Sequence, residues 1–433
     1  MKKIQPHEAI AESARCLLCH DAPCNKGCPA GIDVAGFIRN IKVKNFTSAY
    51  RKIRNNNILA TTCGNICPSH KFCEANCSSK ALTKPINIGT LHGFVADIEL
   101  AKGLSRGDTT PAKGKRIAVI GSGPAGLSCA AELKMLGYEV TVFEKNSYAG
   151  GLMQNGIPPF KLPRNILKTE INHITNMGVE LRKNYPIHDE QAIDKLFTDG
   201  YAAVFIGIGM EKPLRLCVPG EDLRGVTTWK EVLRQTNDYF TNNGGVPPDF
   251  GRRVAIIGGG NTALDVVHSI LKLGTEVHLV CLEAIDEMPA FKSEIDRALE
   301  QGAAFHPRSR VLAIAGTDTG KVCQIDCISI EWKKTSDFSP QNAIDIAGSS
   351  FSMEVDSVVV AIGQTLYLEE DQFISSVELK NGKIVVDEET GQTSREGVFA
   401  GGDAIRTNNS VVQSVHDGAT ASQSIDKFLS FKG

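Results

Sequence analysis

Cysteine crowding near the amino terminus is the feature that most restricts how this chain can fold. Eight of the thirteen cysteines lie in the segment from Cys16 to Cys77. Free thiols at this density would oxidise or cross-link unless disulfides, zinc or iron–sulfur clusters occupied them. The spacings are Cys16-x2-Cys19-x4-Cys24-x3-Cys28-Pro29 and Cys63-x3-Cys67-Pro68-x4-Cys73-x3-Cys77.

The rest of the sequence argues against disulfides. The first ten residues, MKKIQPHEAI, contain no apolar signal core, and no apolar run approaches the ~18 residues of a membrane span. A net charge of −2 gives no basic surface for nucleic acid or a membrane. We therefore expect a soluble, cytoplasmic protein whose thiols stay reduced.

Between the two remaining chemistries, the spacing favours iron–sulfur clusters. Zinc sites usually combine two close Cys-x2-Cys knuckles, whereas only Cys16 and Cys19 have that spacing. Cys28 and Cys67 each precede proline, as cluster ligands often do. Spacing alone would group the thiols into two local tetrads, one in each half of the segment.

A dinucleotide-binding fingerprint begins at Arg116–Ile120, an apolar run that predicts a buried strand. The loop Gly121–Gly126 follows, reading GSGPAG, and leads into a predicted helix, Leu127–Gly137. Its first glycine makes the turn, the second lets the backbone approach a pyrophosphate, and the third allows close helix–strand packing. A second predicted strand, Glu139–Phe143, ends at Glu144, an acid placed to bind a ribose hydroxyl.

The same design repeats in the second half of the chain. A predicted strand, Arg253–Ile257, leads into the GGGNTA loop Gly258–Ala263. A helix, Leu264–Leu273, and a strand, Val277–Cys281, are predicted to follow. Two such units predict two nucleotide cofactors, for which a flavin and a nicotinamide are the natural pair.

The residues after the second strand of this repeat indicate which nicotinamide binds. A 2′-phosphate is normally met by arginine just beyond that strand, whereas a free 2′-hydroxyl prefers an acid. Leu282 and Glu283 occupy these positions, and the next arginine is Arg297. The sequence therefore favours NADH over NADPH.

Further elements are predicted at both ends of the chain. In the tail, a strand ends in Gly401–Asp403, whose carboxylate can meet a flavin ribityl chain, and a helix is predicted over Val411–Phe428. Near the amino terminus, helical spacing is present in Ala35–Val43 and Ser48–Asn55. A composition rich in Gly, Thr, Pro and Lys predicts a linker over Gly103–Gly114.

Together these segments resemble the two-dinucleotide flavoprotein family of the glutamate synthase small subunit and dihydropyrimidine dehydrogenase. The resemblance covers nearly the whole chain, and the DAPC and SVxDG details are similar to flavin subunits of bacterial NAD-dependent dihydropyrimidine dehydrogenases. The motifs are RCLLCHDAPC (15–24), CPAGIDVAGFIR (28–39), PINIGTLHGF (85–94), GGLMQNGIPPFKLP (150–163), VPGEDLRGV (218–226), GGGNTALD (258–265), AIGQ (361–364) and SVHDGATAS (414–422).

The resemblance implies an α/β protein with an N-terminal α-helical iron–sulfur domain followed by two Rossmann-like dinucleotide-binding domains. The NAD domain would be inserted in the FAD domain. The expected boundaries are residues 1–112 for a helical domain with two 4Fe-4S clusters, 113–225 and 367–433 for the two parts of the FAD-binding domain, and 226–366 for the NAD(P)H-binding domain.

The resemblance also implies interleaved ligation of the clusters. Cys63 would not be a ligand, and His92 stands where the family often has a glutamine ligand. Imidazole is a competent iron ligand that can raise a cluster's potential. The first cluster would take Cys16, Cys19, Cys24 and Cys77, and the second Cys28, Cys67, Cys73 and His92.

The expected nucleotide contacts come from the fingerprints and from the resemblance. Lys161 stands where the family usually has arginine, which keeps one charge and loses a fork of donors. Ile187 fits a core position equally well. The family's two arginines for a 2′-phosphate are absent, which again supports NADH. The expected FAD contacts are Gly121, Gly123, Pro124, Ala125, Gly126, Glu144, Lys145, Gly151, Leu152, Lys161, Ile187, Gly402 and Asp403, and the expected NAD contacts are Gly258, Gly260, Asn261, Thr262, Ala263, Glu283, Ala361, Ile362 and Gly363.

These assignments predict an NADH-oxidising flavoprotein subunit that sends electrons through FAD and the clusters to a partner. Hydride transfer needs positioning more than acid–base help, so no catalytic residue is expected. The resemblance implies a hetero-oligomer with an FMN/iron–sulfur subunit that reduces uracil or thymine to the 5,6-dihydro base in pyrimidine degradation. Two alternatives stay open: the small subunit of a glutamate synthase or of a ferredoxin:NAD(P)+ oxidoreductase, and a non-catalytic cysteine-rich docking module.

Overall fold

A computed structural model of the chain describes residues 4–103, 110–242, 245–334, 337–406 and 410–431. Half of the predicted linker over Gly103–Gly114, residues 104–109, lies outside these residues. The chain forms two compact units. The first contains Met1–Gln154, Phe160–Met210 and Leu366–Gly433, and the second contains Asn155–Pro159 and Glu211–Thr365.

Helices form the amino-terminal part of the first unit. The two helices predicted here are confirmed, each beginning slightly earlier because a polar side chain caps it. Asp33 accepts the Gly36 N–H at 3.0 Å, and Asn45 accepts the Ser48 N–H at 3.1 Å. The helices are α1 Pro6–Ala14, α2 Pro23–Lys26, α3 Val34–Lys42, α4 Phe46–Arg54, α5 Ala60–Ile66 and α6 Ile88–Lys102, with 3-10 turns at Ser69–Lys71 and Ser78–Ala81.

The first unit continues as a parallel sheet flanked by helices. Both strands predicted around the first fingerprint are present with the expected bounds. The elements are β1 Arg116–Ile120, α7 Pro124–Met135, β2 Glu139–Phe143, α8 Leu152–Asn155, α9 Arg164–Asn176, β3 Glu180–Arg182, α10 Ala192–Thr198 and β4 Tyr201–Ile206.

The second unit combines a parallel sheet with a smaller antiparallel one. The strand predicted before the second fingerprint has the expected bounds, and the helix after it begins three residues early, at Asn261. The elements are β5 Lys212–Pro213, β6 Val226–Thr228, α11 Trp229–Thr241, β7 Arg253–Ile257, α12 Asn261–Leu271, β8 Glu276–Val280, α13 Lys292–Glu300, β9 Ala304–His306, β10 Ser309–Gly316, β11 Val322–Trp332, β12 Ala343–Asp345, β13 Phe351–Glu354, β14 Ser357–Val360 and β15 Gln364–Thr365, with a 3-10 turn at Pro340–Asn342.

The tail belongs to the first unit again. Its last helix confirms the prediction over residues 411–428 and runs three residues further. No helix in the described part of the chain is long and apolar enough to cross a membrane. The elements are β16 Leu379–Lys380, β17 Lys383–Ile384, β18 Val398–Ala400 and α14 Val411–Phe431, with 3-10 turns at Gln372–Ser376 and Gly402–Ala404.

The two large sheets share one topology. Their strand orders are β18–β4–β1–β2–β3 and β6–β14–β7–β8–β9, with every neighbouring pair parallel. In each, the fingerprint strand is central, and doubly wound sheets bind ligands at the carboxyl ends of such strands. Because β18 comes from the tail, the second unit is inserted within the first. The predicted α/β fold and its insertion are confirmed.

The tail helix packs closely against the first fingerprint helix. A Cβ atom on Gly418 of α14 would lie 2.2 Å from the Ala125 carbonyl oxygen and 2.8 Å from the Cys129 nitrogen of α7. Only glycine fits at such a separation, because the clashing atoms belong to the backbone.

We expect Gly418→Ala to lower the free energy of unfolding of the first unit by about 1–3 kcal/mol, since overpacking forces the two helices apart. Urea unfolding followed by circular dichroism measures the change. Gln423→Ala, on the exposed side of the same helix, is the control and should stay within about 0.5 kcal/mol of wild type. Equal effects of the two substitutions would contradict the packing argument.

Candidate functional site

The first fingerprint loop depends on two close backbone approaches. Gly121 has φ +97°, and a Cβ there would lie 2.6 Å from the Gly207 carbonyl oxygen. A Cβ on Gly126 would lie 2.0 Å from the Gly121 carbonyl oxygen. Gly123, by contrast, has no atom closer than 3.7 Å to such a Cβ. The middle glycine therefore leaves room at the start of α7, where a phosphate can approach backbone N–H groups.

Glu144, at the end of β2, is buried and held towards this loop by hydrogen bonds. Its Oε2 accepts the Ser122 N–H at 3.1 Å and the Ser122 hydroxyl at 2.5 Å. Its Oε1 accepts the Asn146 N–H and side-chain amide, both at 2.8 Å. Ser122 and Asn146 were missed in the sequence, because Ser122 stands at a variable position of the fingerprint and Asn146 lies beyond it.

Two distant segments meet at the same loop. A Cβ on Gly151 would lie 3.1 Å from the Gly123 Cα, and one on Gly402 would lie 3.2 Å from the Ala125 Cβ. The structure thus brings the GGLM and GGD motifs, including Asp403, to the fingerprint.

Asp417, buried in α14, fixes the turn that carries Asp403. It accepts the Gly402 N–H at 2.9 Å through Oδ2 and pairs with the Arg406 guanidinium at 2.9 Å through Oδ1. Asp417 is the aspartate of the SVHDG motif, which was noticed in the sequence without a role.

The remaining residues expected at the first site are more scattered. Leu152 begins α8, and Lys161 is half-buried between α8 and α9 in the sequence. Lys145 places its Nζ 5.5 Å from the centre of the Tyr367 ring. Ile187 packs against the hydrophobic core beside β4, which accounts for its apolar character without a ligand.

In the second unit, the fingerprint loop again combines a close approach with open space. Gly258 has φ +131°, and a Cβ there would lie 2.4 Å from the Ala361 carbonyl oxygen. A Cβ on Gly260 would meet no atom within 4 Å. The segment Ala361–Gly363 therefore lies beside the loop. Asn261 accepts the Phe291 N–H at 2.9 Å, which links the start of α12 to the residue before α13.

Glu283 lies over the middle of this loop. A Cβ on Gly259 would lie 2.8 Å from Glu283 Oε2. Burial raises the pKa of Glu283, and the nearby carboxylate of Glu287 raises it further. The expected acid at the end of β8 is thus close to the loop.

Arg308 also lies at this end of β8, although it is far from Glu283 along the chain and was not predicted there from the sequence. The Arg308 N–H donates to the Glu283 carbonyl oxygen at 3.2 Å. Its guanidinium pairs with Glu287 Oε1 at 2.5 Å and lies 5.5 Å from the centre of the Trp332 ring. Trp332 Nε1 also donates to Glu287, at 3.2 Å. This cation is therefore already matched by a carboxylate.

In the amino-terminal helices, the thiols group across the sequence. The pKa of Cys24 is raised to about 11, mainly by burial and then by the nearby thiols of Cys16 and Cys77. Burial is also the main cause of the raised pKa of Cys73, followed by Cys28. Such mutual effects require proximity. Cys16, Cys19, Cys24 and Cys77 influence one another, and so do Cys28, Cys63, Cys67 and Cys73; Cys24 also acts on Cys73, so the two groups adjoin.

His92, on α6, carries an unpaired buried nitrogen. Burial lowers the pKa of His92 to about 4, so the ring is neutral near pH 7. One ring nitrogen bonds to the backbone of Ala60, while Nε2 has no hydrogen-bond partner. A neutral imidazole held by a carbonyl and bearing a free nitrogen is the form that binds metal.

The donors present fit iron–sulfur clusters, since all thirteen cysteines are free thiols and seven of them, with His92, form the expected ligand types. Within the described residues, no three His, Cys, Asp or Glu side chains converge on a single point as metal ligands. The structure therefore groups the thiols without defining the ligand sets.

Comparison with known proteins assigns the chain to a family. Residues 115–420 match the pyridine nucleotide-disulphide oxidoreductase family. The chain belongs to that family. Residues 1–104 match the family described as dihydropyrimidine dehydrogenase domain II, 4Fe-4S cluster. This pyridine nucleotide-disulphide oxidoreductase is thus an electron-transfer flavoprotein with FAD and NAD(P) sites and an iron–sulfur domain.

The relatives of this oxidoreductase include subunits of larger enzymes. It is 32% identical over 97% of its length to the NAD-dependent dihydropyrimidine dehydrogenase subunit PreT of Escherichia coli, covering 94% of that protein. It is 30% identical over 98% of its length to the glutamate synthase [NADPH] small chain of Escherichia coli, covering 92%. The NADP(+)-dependent formate dehydrogenase subunit beta of Moorella thermoacetica is 35% identical over 94% of the chain, which covers 60% of that protein.

Solved structures of the same fold include more distant flavoproteins. Mycobacterium tuberculosis FprA in complex with NADPH has a TM-score of 0.60 at 18% identity, covering 74% of this oxidoreductase and 85% of FprA. The thioredoxin reductase of T. acidophilum has a TM-score of 0.54 at 20% identity, covering 73% and 98%. These two similarities establish the fold.

We expect Gly260→Ala to weaken NADH binding by about tenfold, equal to about 1.4 kcal/mol, because the added methyl occupies the space a pyrophosphate needs. The free energy of unfolding should change by no more than about 1 kcal/mol, since the added methyl displaces no protein atom. Gly258→Ala should instead destabilise the second unit through its clash with Ala361. Calorimetric titration and urea unfolding separate the two effects, and unchanged NADH affinity in Gly260→Ala would contradict the assignment.

Proposed function

We propose that this protein is the NADH-oxidising subunit of an enzyme that reduces uracil or thymine to 5,6-dihydropyrimidines. The observation that carries the proposal is the end-to-end similarity to a dihydropyrimidine dehydrogenase subunit, at 32% identity over 94% of that subunit. When bound, the cofactors supply conversion of a two-electron hydride into single electrons that leave through the iron–sulfur domain.

In this proposal the chain's residues bind and orient, and none acts as acid or base. The loop Gly121–Gly126 holds the FAD pyrophosphate, Glu144 bonds the ribose, and Asp403 meets the ribityl chain. The loop Gly258–Ala263 holds the NADH pyrophosphate at the start of α12. Support comes from the open space at Gly123 and Gly260, each at the start of a helix.

We further propose that the clusters are ligated in the interleaved manner. The grouping of Cys77 with the first three cysteines and of Cys28 with Cys67 and Cys73 supports it. The free Nε2 of His92 supports imidazole as the eighth ligand. Cys63 lies with the second group and is assigned no iron.

The preference for NADH rests on charge at the end of β8. Glu283 lies over the loop, where a carboxylate accepts a ribose 2′-hydroxyl and repels a 2′-phosphate. Arg308, the cation brought to the same strand end, is paired with Glu287. The positive charge of Arg308 is therefore neutralised by Glu287 and does not favour a 2′-phosphate.

A second candidate function is the electron-input subunit of a glutamate synthase. It is favoured by the 30% identity to the glutamate synthase small chain over 92% of that chain. That relative is named for NADPH, however, and the acidic surroundings of Glu283 favour the first candidate.

The purified protein should contain about eight irons per flavin, as two four-iron clusters require.

Mixed with the separately prepared FMN-containing subunit of a dihydropyrimidine dehydrogenase, it should oxidise NADH only when uracil is added. NADPH should be slower by about tenfold, because a 2′-phosphate against a carboxylate costs at least about 1.4 kcal/mol. Oxidation that depends on glutamine and 2-oxoglutarate with a glutamate synthase large subunit would favour the second candidate. Equal rates with NADH and NADPH would contradict the role of Glu283.

Replacement of His92 tests the cluster ligands. We expect His92→Gln to lower the midpoint potential of one cluster on the order of 100 mV, because an imidazole ligand raises potential. The other cluster should keep its potential. Redox titration followed by EPR measures both, with the exposed His70→Gln as control. If both clusters keep their spectra and potentials in His92→Ala, His92 is not a ligand.

A further inference from the structure

A buried ion network lies where the amino-terminal helices meet α9 within the first unit. Arg54 on α4, Glu99 on α6 and Glu170 on α9 are each almost fully excluded from solvent. One guanidinium nitrogen of Arg54 lies 3.4 Å from Glu99 Oε2 and 3.3 Å from Glu170 Oε1. Arg54 also donates to the Ile58 carbonyl oxygen. Three buried charges in contact need a reason, because desolvation makes such networks poor sources of stability.

Glu170 also caps a helix that belongs to another part of the chain. The first N–H groups of any helix lack partners inside it, and Leu59, which precedes α5, offers no side-chain cap. Glu170 accepts the Thr61 N–H at 2.7 Å and the Thr62 N–H at 2.9 Å, one on each carboxylate oxygen. An anion at a helix amino terminus also complements the helix dipole. Glu170, more than one hundred positions away in the sequence, thus provides the N-cap hydrogen bonds of α5.

The capped helix leads directly to the proposed second cluster. Cys67 directly follows α5, and its N–H donates to the Cys63 carbonyl oxygen at 2.9 Å. The backbone of Ala60, the first residue of α5, bonds the ring of His92. α5 and α6 approach closely, since a Cβ on Gly93 would lie 2.9 Å from the Gly64 carbonyl oxygen. The position of α5 therefore determines where Cys67 and the free nitrogen of His92 lie.

On its other side, α9 contacts Gly150, the first residue of the GGLM motif. A Cβ on Gly150 would lie 3.0 Å from Leu167 Cδ2 and 3.5 Å from Ile171 Cδ1, which flank Glu170 on α9. The neighbouring Gly151 lies against Gly123. A continuous path of contacts thus runs from the first fingerprint loop, Gly121–Gly126, through the GGLM motif, α9 and Glu170 to α5.

We propose that Glu170 is a positioning residue that fixes the second cluster relative to the flavin by capping α5 from the flavin domain. The proposal rests on the cluster assignment under Proposed function and names no new ligand. Glu170 contacts Arg54 and the first turn of α5, so the proposed role lies in the electron path beyond hydride transfer.

Glu170→Gln is the test variant, because Arg54 keeps Glu99 as its counter-charge and the three side chains then carry no net charge. A glutamine has one acceptor oxygen, so one of the Thr61 and Thr62 N–H groups loses its partner. After NADH is mixed with the complete protein, stopped-flow absorbance should show flavin reduction at the wild-type rate. Cluster reduction should be slower by about tenfold, the lower end of the loss when a residue supporting a metal ligand is removed. The EPR signal of the second cluster should also change.

Two comparisons make the result decisive. Glu190→Gln, an exposed residue with the same chemical change, should follow wild type, and Glu170→Asp, which retains the carboxylate, should recover part of the cluster-reduction rate. If wild-type clusters are not reduced by NADH, the proposed function and this role are both wrong. If they are reduced and Glu170→Gln matches wild type, only the positioning role is wrong.

If Glu170→Gln fails to fold, hydrogen exchange on the wild-type protein tests whether Glu170 caps α5. First-turn amides of a helix without a cap exchange quickly, because they have no internal partner. Strong protection of the Thr61 and Thr62 amides in the complete protein is expected if Glu170 caps them. Rapid exchange of both would overturn the proposal.

Discussion

Close contact between backbone segments at the first turn of each large sheet is the constraint on which the rest of the structure depends. At Gly126 a side chain would collide with the Gly121 carbonyl, and at Gly258 with the Ala361 carbonyl. With these contacts, the helix after each central strand begins directly above the strand end. The polar groups predicted to complete each site, such as Glu144 and Glu283, lie near the loops only because that geometry is fixed first.

The buried charges of the first unit impose a different kind of order. An apolar trio of similar volume would be about as stable as Arg54, Glu99 and Glu170, because desolvation offsets most of their attraction. Apolar side chains, however, do not specify which backbone groups they meet. The two carboxylate oxygens of Glu170 select two particular N–H groups of α5. Directional bonds of this kind define one packing arrangement between α5 and α9.

Features with a short sequence range could be predicted, and features made by distant segments could not. The strands β1, β2 and β7 have the predicted bounds, because each begins with a charged residue, continues in mostly apolar residues and ends at a glycine or a glutamate. Arg308 was missed because it is distant from Glu283 in the sequence and only the folded chain brings the two residues together. Thiol spacing likewise suggested local tetrads, whereas the helices bring Cys77 to Cys16. Resemblance to a family supplied that grouping because it carries information about three-dimensional proximity that one sequence lacks.

The order in which the strands of the first sheet appear along the chain has a consequence for biosynthesis. β18, which pairs with β4, is translated only after the whole inserted unit. Until then β4 is an unprotected edge, and the turn bearing Asp403, together with α14, does not yet exist. The inserted unit has all its own strands earlier and can fold while the ribosome is still working. The first sheet is therefore completed late in synthesis of the chain, and until then the edge of β4 can pair with a strand of another chain.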